Sequence, residues 1–459
     1  MSEAPKKDRN FSLNILGKAA VVGALLLLML LPLFFIQNTM KERKQYKDHA
    51  LGTISSSWGS DQLLAAPFIN IGYTVNTVET VNKEKVVKTS TQYKKFAPQN
   101  LETSVEMIPQ VRNIGIFSMP VYTANIKIKG NFDVLPTTSS NAFLTIELKD
   151  LKGITKMPQG KFGTQQLEFE PYAQNNTISF GALGPNEDDP MDKKSSRKYY
   201  YDDYDYGNKN TSANAIAAKV KYGTTKTDFE ISFPLQGSGT MNLVPIAKQN
   251  KFTVSSPWKD PLFFGSFLPA QKEINENGFS ASWDISYLAS GIPQTFDTMN
   301  VKESVFGVKL ATPVDSYRNG LRAAKYGLLF LALTFLACFV FEIVGSKPIH
   351  AFQYVMVGAA MSIFYILLLS LSEFMCFGLA YLIAAAAVIV MITSYIRFAI
   401  IKESGAKYIV APAGILTGLY IYLYVLLQLQ DFSLLFGAFG LFIGLAAVMY
   451  TTRNINWYE

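Results

Sequence analysis

The last third of the chain is almost free of charge, and this feature constrains the fold more than any other. Of 42 lysines and arginines, only 5 lie in residues 345–459, whereas 33 lie in residues 38–344. The charged fraction of the whole chain is 17%, against about 25% in a typical soluble protein. This distribution excludes an ordinary soluble protein, a disordered chain and a disulfide-rich secreted domain. It predicts an integral membrane protein with a large water-exposed domain.

Six apolar segments are long enough to cross a bilayer, which takes about 20 helical residues. The first, residues 19–36, follows four cations and has no small-residue cleavage site after it, so it predicts an uncleaved signal-anchor helix. The other five predict a transmembrane bundle over residues 326–450. They are residues 326–344, 354–371, 377–396, 408–429 and 432–450.

The cations that flank these segments predict their orientation. Lysines and arginines in short loops stay on the cytoplasmic side of a membrane. Under this rule the cations after residue 344 share one side with residues 1–18 and 451–459, while the short joints of the other side carry only Glu373 and Asp431. We therefore expect both termini to be cytoplasmic and residues 45–315 to be exported. The five cations are Lys347, Arg397, Lys402, Lys407 and Arg453.

The exported region alternates apolar and polar residues with the period of β-strands. The pattern is clear in residues 125–129, 143–148, 228–233 and 278–285, and turn-forming residues separate such runs. It predicts a large antiparallel β-rich, sandwich-like domain over residues 45–315. An acidic, Tyr-rich insertion at residues 185–214 interrupts it. The spacing of its aspartates matches no calcium loop, so we interpret it as a solvated loop, or alternatively as a contact surface for a partner.

The composition argues against catalysis. The chain has two histidines, His49 just beyond the first apolar segment and His350 in a loop on the opposite side of the membrane, so the strand region has no histidine to activate a nucleophile and no His/Cys metal cluster. Phosphate-loop and dinucleotide fingerprints are missing, which leaves only a serine–lysine pair as a formal route to a hydrolase. The basic surplus, 33 Lys and Arg against 28 Asp and Glu in residues 38–341, is spread along the domain. We predict no enzyme, cofactor, metal or nucleic-acid partner.

Polar residues at membrane depth are the remaining candidates for a site, because such residues are rare and tend to be functional. Because Glu373 falls at the opposite face of the membrane from Glu342 and His350, the candidates do not form one site, and the favoured interpretation is that each caps a helix or hydrogen-bonds to a neighbouring helix. The alternative is a functional pair, for which Glu342 with His350 or Lys347 is the best candidate. The candidates are Glu342, His350, Gln353, Tyr354, Glu373 and Tyr381.

Several segments of the chain together resemble one known family. The most specific are Gln-Tyr-Val-Met-Val-Gly at residues 353–358 and the run that ends in Leu-Ser-Glu at residues 371–373. In the exported region they include Gly-Ile-Phe at 115–117, Ser-Pro-Trp at 256–258 and the segment from Gly278 to Trp283. These segments resemble the CreD family of inner-membrane, cell-envelope integrity proteins of Gram-negative bacteria. The resemblance covers nearly the whole chain, with Phe374 where the family usually has histidine.

The resemblance implies an envelope-stress protein that is produced under a two-component regulator. We therefore expect a non-enzymatic protein of the inner membrane that contacts membrane lipids and presents its β-domain to envelope components or to periplasmic or inner-membrane protein partners. The alternative is a small transporter or lipid-handling protein that uses the five-helix bundle. That alternative predicts a hydrophilic cavity lined by Glu342, Tyr354 and Tyr381.

Overall fold

The computed structural model describes residues 9–81, 84–134, 142–172, 178–180, 211–212, 214–221, 225–311, 316–345, 349–401, 407–428 and 433–453. The chain divides into two compact units, Met1–Asp48 with Pro313–Glu459 and His49–Thr312. We call the first the helical unit and the second the β-domain. The predicted insertion at residues 185–214 lies outside the described residues, except for Thr211, Ser212 and Asn214.

The helices are Arg9–Leu28 (α1), Leu30–Trp58 (α2), Tyr287–Ser290 (α3), Ser316–Lys325 (α4), Gly327–Gly345 (α5), Ala351–Ser372 (α6), Phe377–Tyr395 (α7), Lys407–Gln428 (α8) and Ser433–Thr452 (α9), and a π-helical segment, Ile396–Ile401, follows α7. The break between α1 and α2 falls at Met29, three residues before Pro32. Proline has no amide hydrogen for the carbonyl four residues earlier, so the helix is weakest where it breaks.

The described helices include segments that can cross a membrane. Gly17–Trp58, Ala351–Ser372 and Phe377–Phe398 are each long and apolar enough. A fourth candidate is the pair Asn319–Lys325 and Gly327–Glu342, which is bent by 45°. Shorter apolar helices occupy Pro412–Gln428 and Leu435–Ala446. Helices that are long and apolar enough to cross a membrane are thus present as expected, whereas the number six stays a prediction.

The β-domain is built from strands of very different length. They are Gln62–Val81 (β1), Glu84–Phe96 (β2), Asn100–Ile114 (β3), Phe117–Phe132 (β4), Ala142–Leu148 (β5), Gln159–Phe162 (β6), Gln165–Gln166 (β7), Glu170–Tyr172 (β8), Ile178–Phe180 (β9), Thr211–Ser212 (β10), Asn214–Val220 (β11), Thr227–Ser238 (β12), Thr240–Leu243 (β13), Gln249–Ser256 (β14), Pro261–Gly265 (β15), Gln271–Asn275 (β16), Gly278–Ser286 (β17), Thr295–Phe296 (β18), Met299–Asn300 (β19) and Phe306–Leu310 (β20). A short 3₁₀ helix, Leu151–Gly153, follows β5.

Two large sheets form the β-domain. One has the order β15-β20-β13-β1-β5-β11-β8, with β2 and β18 continuing from β1, and the other has the order β16-β17-β14-β3-β4-β12-β6-β7. A small sheet joins β10, β9 and β19. Most pairs are antiparallel, but β1–β13, β3–β14 and β9–β19 are parallel. The expected all-antiparallel pairing was therefore wrong in part, because apolar alternation is the same for either strand direction.

The two large sheets share one hydrophobic core. Ile69 and Leu144 of the first sheet and Ile126 of the second are all fully buried in it. Aromatic rings also meet across the sheets: the centroid of Phe306 on β20 lies 5.2 Å from that of Phe252 on β14, edge to face. Edge-to-face contacts of this kind stabilise more than their buried area alone. The domain is thus sandwich-like, as the sequence predicts.

Strand β17 begins at a glycine that its surroundings require. Gly278 has φ +131°, and a Cβ atom there would lie 2.1 Å from the carbonyl oxygen of Ser256 and 2.5 Å from the Cα of Pro257. Both contacts are to backbone, which cannot rotate away as a side chain can. The structure thereby joins two of the sequence segments that resemble the family, residues 256–258 and 278–283, at one close crossing.

Candidate functional site

Glu342 is the centre of a polar contact that joins three helices of the helical unit. The residue lies near the end of α5 and is only 6% exposed. The hydroxyl of Tyr354 on α6 donates to its Oε2 over 3.1 Å, and the Lys18 ammonium of α1 forms an ion pair with its Oε1. A buried carboxylate is costly unless charge and hydrogen bonds compensate it. Here both oxygens are satisfied, so Glu342 fixes α1 and α6 to α5.

His350 and Gln353 act together, but at the start of a helix. The Nδ1 of His350 accepts from the amide of Phe352 over 3.2 Å, while the Oε1 of Gln353 accepts from the amide of His350 over 2.9 Å. This reciprocal arrangement is a capping box, which satisfies amides that a helix start leaves free. The structure thus gives Glu342 partners other than the expected His350, and Lys347 lies outside the described residues.

Glu373 belongs to a second ionic contact. It sits in the turn between α6 and α7, and its Oε2 accepts from the Arg43 guanidinium of α2 over 3.1 Å. The Glu373 side chain is 5% exposed and that of Arg43 is 46% exposed. Phe374, the next residue in the chain, is 75% exposed. The turn is therefore held to α2 by charge, without a histidine beside the carboxylate.

Tyr381 belongs to an aromatic cluster inside the helical unit. Its hydroxyl donates to the carbonyl oxygen of Tyr420 over 2.7 Å, and its ring packs edge-on against Phe364 at 5.4 Å. Phe364 in turn packs edge-on against Tyr420 at 4.9 Å. The hydrogen bond and the ring contacts join α6, α7 and α8. Of the six candidates, the structure brings together Glu342 with Tyr354 and His350 with Gln353, while Glu373 and Tyr381 make separate contacts.

A small cavity of about 40 Å³ lies among α5, α6, α7 and α8. Most of its lining is aliphatic, and Tyr354 contributes to it, whereas Glu342 and Tyr381 are not among the lining residues. The hydrophilic cavity expected for a conduit is therefore not formed by these three candidates. The lining consists of Thr334, Ala337, Cys338, Phe341, Ile349, Gln353, Tyr354, Val357, Ile392, Ile396, Pro412, Ile415 and Leu416.

A group of side-chain hydrogen bonds surrounds the end of α2 and the start of β1. The indole Nε1 of Trp58 donates to the carbonyl oxygen of Tyr122 over 3.2 Å, and the Ser55 hydroxyl lies 2.8 Å from that of Ser238. The side-chain amide of Gln62 donates to the carbonyl oxygens of Asp150 and Gln236, over 3.1 and 2.9 Å. We call this set of contacts the helix–sheet junction.

Tyr122 links the helix–sheet junction to the interior of the β-domain. Its side chain is fully buried, and its hydroxyl donates to the carbonyl oxygen of Thr240 over 2.7 Å. Burial raises the pKa of Tyr122 well above its ordinary value, and the nearby charge of Asp61 adds to the rise. The hydroxyl therefore stays protonated and remains a donor.

A buried lysine lies on a different strand, away from the helix–sheet junction. Lys95 on β2 is 7% exposed, and its ammonium donates to the carbonyl oxygen of Asp297. Burial lowers the pKa of Lys95, while the charges of Glu147 and Asp297 oppose that shift. The amine thus meets a backbone carbonyl where a serine–lysine hydrolase would need a serine hydroxyl.

Sequence reasoning missed the cationic partners of the two carboxylates. Lys18 and Arg43 flank the first apolar segment, where basic residues are expected on general grounds, and nothing in their position marks a partner. Gln62, Tyr122 and Ser238 were missed as well. Each occurs in a strand. The one signal in the sequence that could have marked it was a polar side chain at a strand position expected to be buried.

Apolar helices combined with a large two-sheet domain define a membrane protein with a substantial water-exposed part. The chain belongs to the CreD family: the family model described as "Inner membrane protein CreD" matches residues 14–458. The chain is also 30% identical to the inner membrane protein CreD of Escherichia coli (strain K12). The alignment spans 453 residues and covers 96% of this chain and 92% of that protein. The predicted family is confirmed, and an inner-membrane location is supported.

Proposed function

We propose that this protein maintains cell-envelope integrity during envelope stress without catalysing a reaction. In this proposal six membrane helices hold the β-domain on the periplasmic side of the inner membrane, where it binds envelope components or protein partners. The observation that carries the proposal is the helix–sheet junction, in which the end of α2 bonds to β12 and β4, and Gln62 of β1 bonds to the carbonyl oxygens of Asp150 and Gln236. These bonds lie inside the β-domain and hold the helical segment through which the chain enters it against its strands.

The distribution of cations supports the proposed orientation. Arg397 and Arg453 directly follow α7 and α9. Glu373 lies in the turn between α6 and α7, at the opposite end of α7 from Arg397. A membrane-impermeant maleimide tests it in cells with a permeabilised outer membrane. In a Cys338→Ser/Cys376→Ser background, Leu288→Cys is expected to react before lysis and Ser2→Cys only after lysis. The reverse order would refute the orientation.

Function is tested by weakening the helix–sheet junction without emptying the core. Ser55→Ala with Trp58→Phe removes two side-chain hydrogen bonds between α2 and the sheets. Ser57→Ala is the matched control, because its hydroxyl bonds to the carbonyl oxygen of Thr53 within the same helix. In cells that lack the native protein, the control is expected to restore resistance to envelope damage, and the double variant to restore it less at equal abundance.

Partner binding needs its own experiment. The full chain is crosslinked in cells and purified, and the crosslinked species are identified. We expect envelope proteins or envelope polymers to be recovered with the wild-type chain and at lower yield with Ser55→Ala/Trp58→Phe. Recovery of the chain alone, in both cases, would overturn the proposal.

The apolar cavity favours lipid handling as the second candidate function. Its lining would accept hydrocarbon and would exclude ions, because desolvating an ion there costs too much. Cys338 lines the cavity and Cys376 is exposed, so a Cys376→Ser variant leaves one thiol as reporter. Added phospholipid is expected to slow maleimide modification of Cys338, and an unchanged rate would refute lipid entry.

A further inference from the structure

The hairpin of β3 and β4 extends beyond the sheet to which it belongs. The two strands pair as far as Ile114 opposite Phe117. Strand β14 accompanies β3 only to Glu106, and β12 accompanies β4 only from Val121 onward. Among the strands that the structure describes, none continues the sheet beside residues 107–120, which form a two-stranded ribbon that we call the hairpin tip. An isolated ribbon of this kind is marginally stable in water.

The hairpin tip exposes aliphatic side chains. Ile108, Val111, Ile114 and Ile116 are 45%, 55%, 39% and 48% exposed. The segment contains no acidic residue and one cation, Arg112, whose guanidinium lies 4.5 Å from the ring centroid of Trp58. Clusters of exposed apolar side chains mark interaction surfaces. The hairpin tip therefore needs an occupant that takes branched aliphatic groups and tolerates a neighbouring cation.

The base of the hairpin tip coincides with both chain connections of the β-domain. The amide of Gly239 donates to the carbonyl oxygen of Pro120 over 3.0 Å, and the amide of Leu310 donates to the carbonyl oxygen of Gly239 over 2.8 Å. The neighbouring Ser238 contacts Ser55 of α2. The chain thus enters the β-domain from the first apolar segment and leaves it toward the second at the base of the hairpin tip. The hairpin tip projects from this same end of the domain.

We propose that the hairpin tip inserts into the surface of the lipid bilayer. Both connections to the apolar helices leave the β-domain at the base of the hairpin tip. A bilayer that contains those helices is therefore the apolar environment available at this end of the domain. Branched aliphatic side chains gain by partitioning into the interface, and a basic residue without acidic neighbours suits anionic headgroups. The proposal is independent of any partner or stress role.

The experiment compares two ends of one strand. Leu288 is 78% exposed and lies beside the start of β3, since Gln249 pairs with both Asn100 and Ser286. That end is about 46 Å from Ile114 along a strand of 15 residues. In the full chain carrying Cys338→Ser and Cys376→Ser, Ile116→Cys or Leu288→Cys is labelled with an environment-sensitive fluorophore and reconstituted into vesicles of phosphatidylglycerol and phosphatidylcholine.

Two quenchers then separate lipid from water. A nitroxide on the lipid acyl chains is expected to quench the label at position 116 at least about fivefold more than the label at 288, and aqueous iodide should show the opposite order. Adding Ile114→Asp, at a position that is 39% exposed, should remove the difference. Equal quenching at both positions would overturn the proposal. So would protection of position 116 from both quenchers, which would indicate a protein contact or a second copy.

Discussion

The close crossing at Gly278 makes a quantitative prediction about the stability of the β-domain. Gly278→Ala places a methyl group 2.1 Å from the carbonyl oxygen of Ser256 and forces a side chain onto φ +131°. Overpacking of this kind costs about 1–3 kcal/mol, and backbone strain costs about 1–3 kcal/mol more. The two effects together give about 4 kcal/mol, or a fall in melting temperature of about 8–16 °C for a domain of this size.

A second glycine supplies the matched control. Gly115, in the hairpin tip, also has positive φ (+58°), but a Cβ atom there would meet nothing within 4 Å. Gly115→Ala therefore adds only the left-handed strain of about 1 kcal/mol, which corresponds to about 2–4 °C. The larger loss expected for Gly278→Ala combines the contact with Ser256 and Pro257 and the additional strain of φ +131° over φ +58°.

Tryptophan fluorescence is the appropriate assay for this comparison. Trp258 follows Pro257 directly, and Trp283 is buried in the core on β17, the strand that Gly278 begins, so both indoles report unfolding of the β-domain. Thermal unfolding of the full chain in detergent, followed at these indoles, should show the large shift for Gly278→Ala and the small one for Gly115→Ala. If Gly278→Ala melted within 2–4 °C of the wild type, the inferred rigidity of the crossing would be incorrect.

Three further predictions concern buried polar groups. Burial lowers the pKa of Lys95 in the folded protein, so between that pKa and 10.5 the unfolded chain binds more protons than the folded chain, and stability rises with pH. Lys95→Met should abolish this rise, and melting temperatures measured across that pH range test it. Tyr122→Phe removes the donor to Thr240 and should cost about 1–2 kcal/mol in the same fluorescence assay; an unchanged melting point would contradict it. Glu342→Ala should cost about 1–3 kcal/mol, and Glu342→Gln less because its amide oxygen still accepts from Tyr354, as measured by the temperature at which Cys338 becomes reactive in a Cys376→Ser background.

The positions of the helices could be predicted from the sequence because hydropathy is a local property. The predicted segment 354–371 lies within α6, and 377–396 matches α7 nearly to the residue. Period-two alternation located parts of β4, β5, β12 and β17 for the same reason. Side-chain periodicity depends only on neighbours along the chain.

Partners across the fold could not be predicted in this way. Lys18 and Glu342 are 324 residues apart, and Arg43 and Glu373 are 330 residues apart. Their meeting depends on how each helix is rotated about its axis, which an all-round apolar helix does not reveal. The parallel pairing of β3 with β14 is equally non-local, and so is the clustering of Gln62 with Gln236.

The parallel pairing of β3 with β14 also imposes an order on synthesis. Glu106 pairs with Ser255, so 149 residues must be added before the outer edge of β3 finds its partner. At about 5–20 residues per second this takes about 7–30 s. During that time β3 has β4 on one edge and an open, hydrogen-bonding edge on the other, which is a template for unwanted pairing. Newly made chains therefore pass through an aggregation-prone interval that ends only when β14 arrives, and slowing synthesis between residues 106 and 255 would lengthen it.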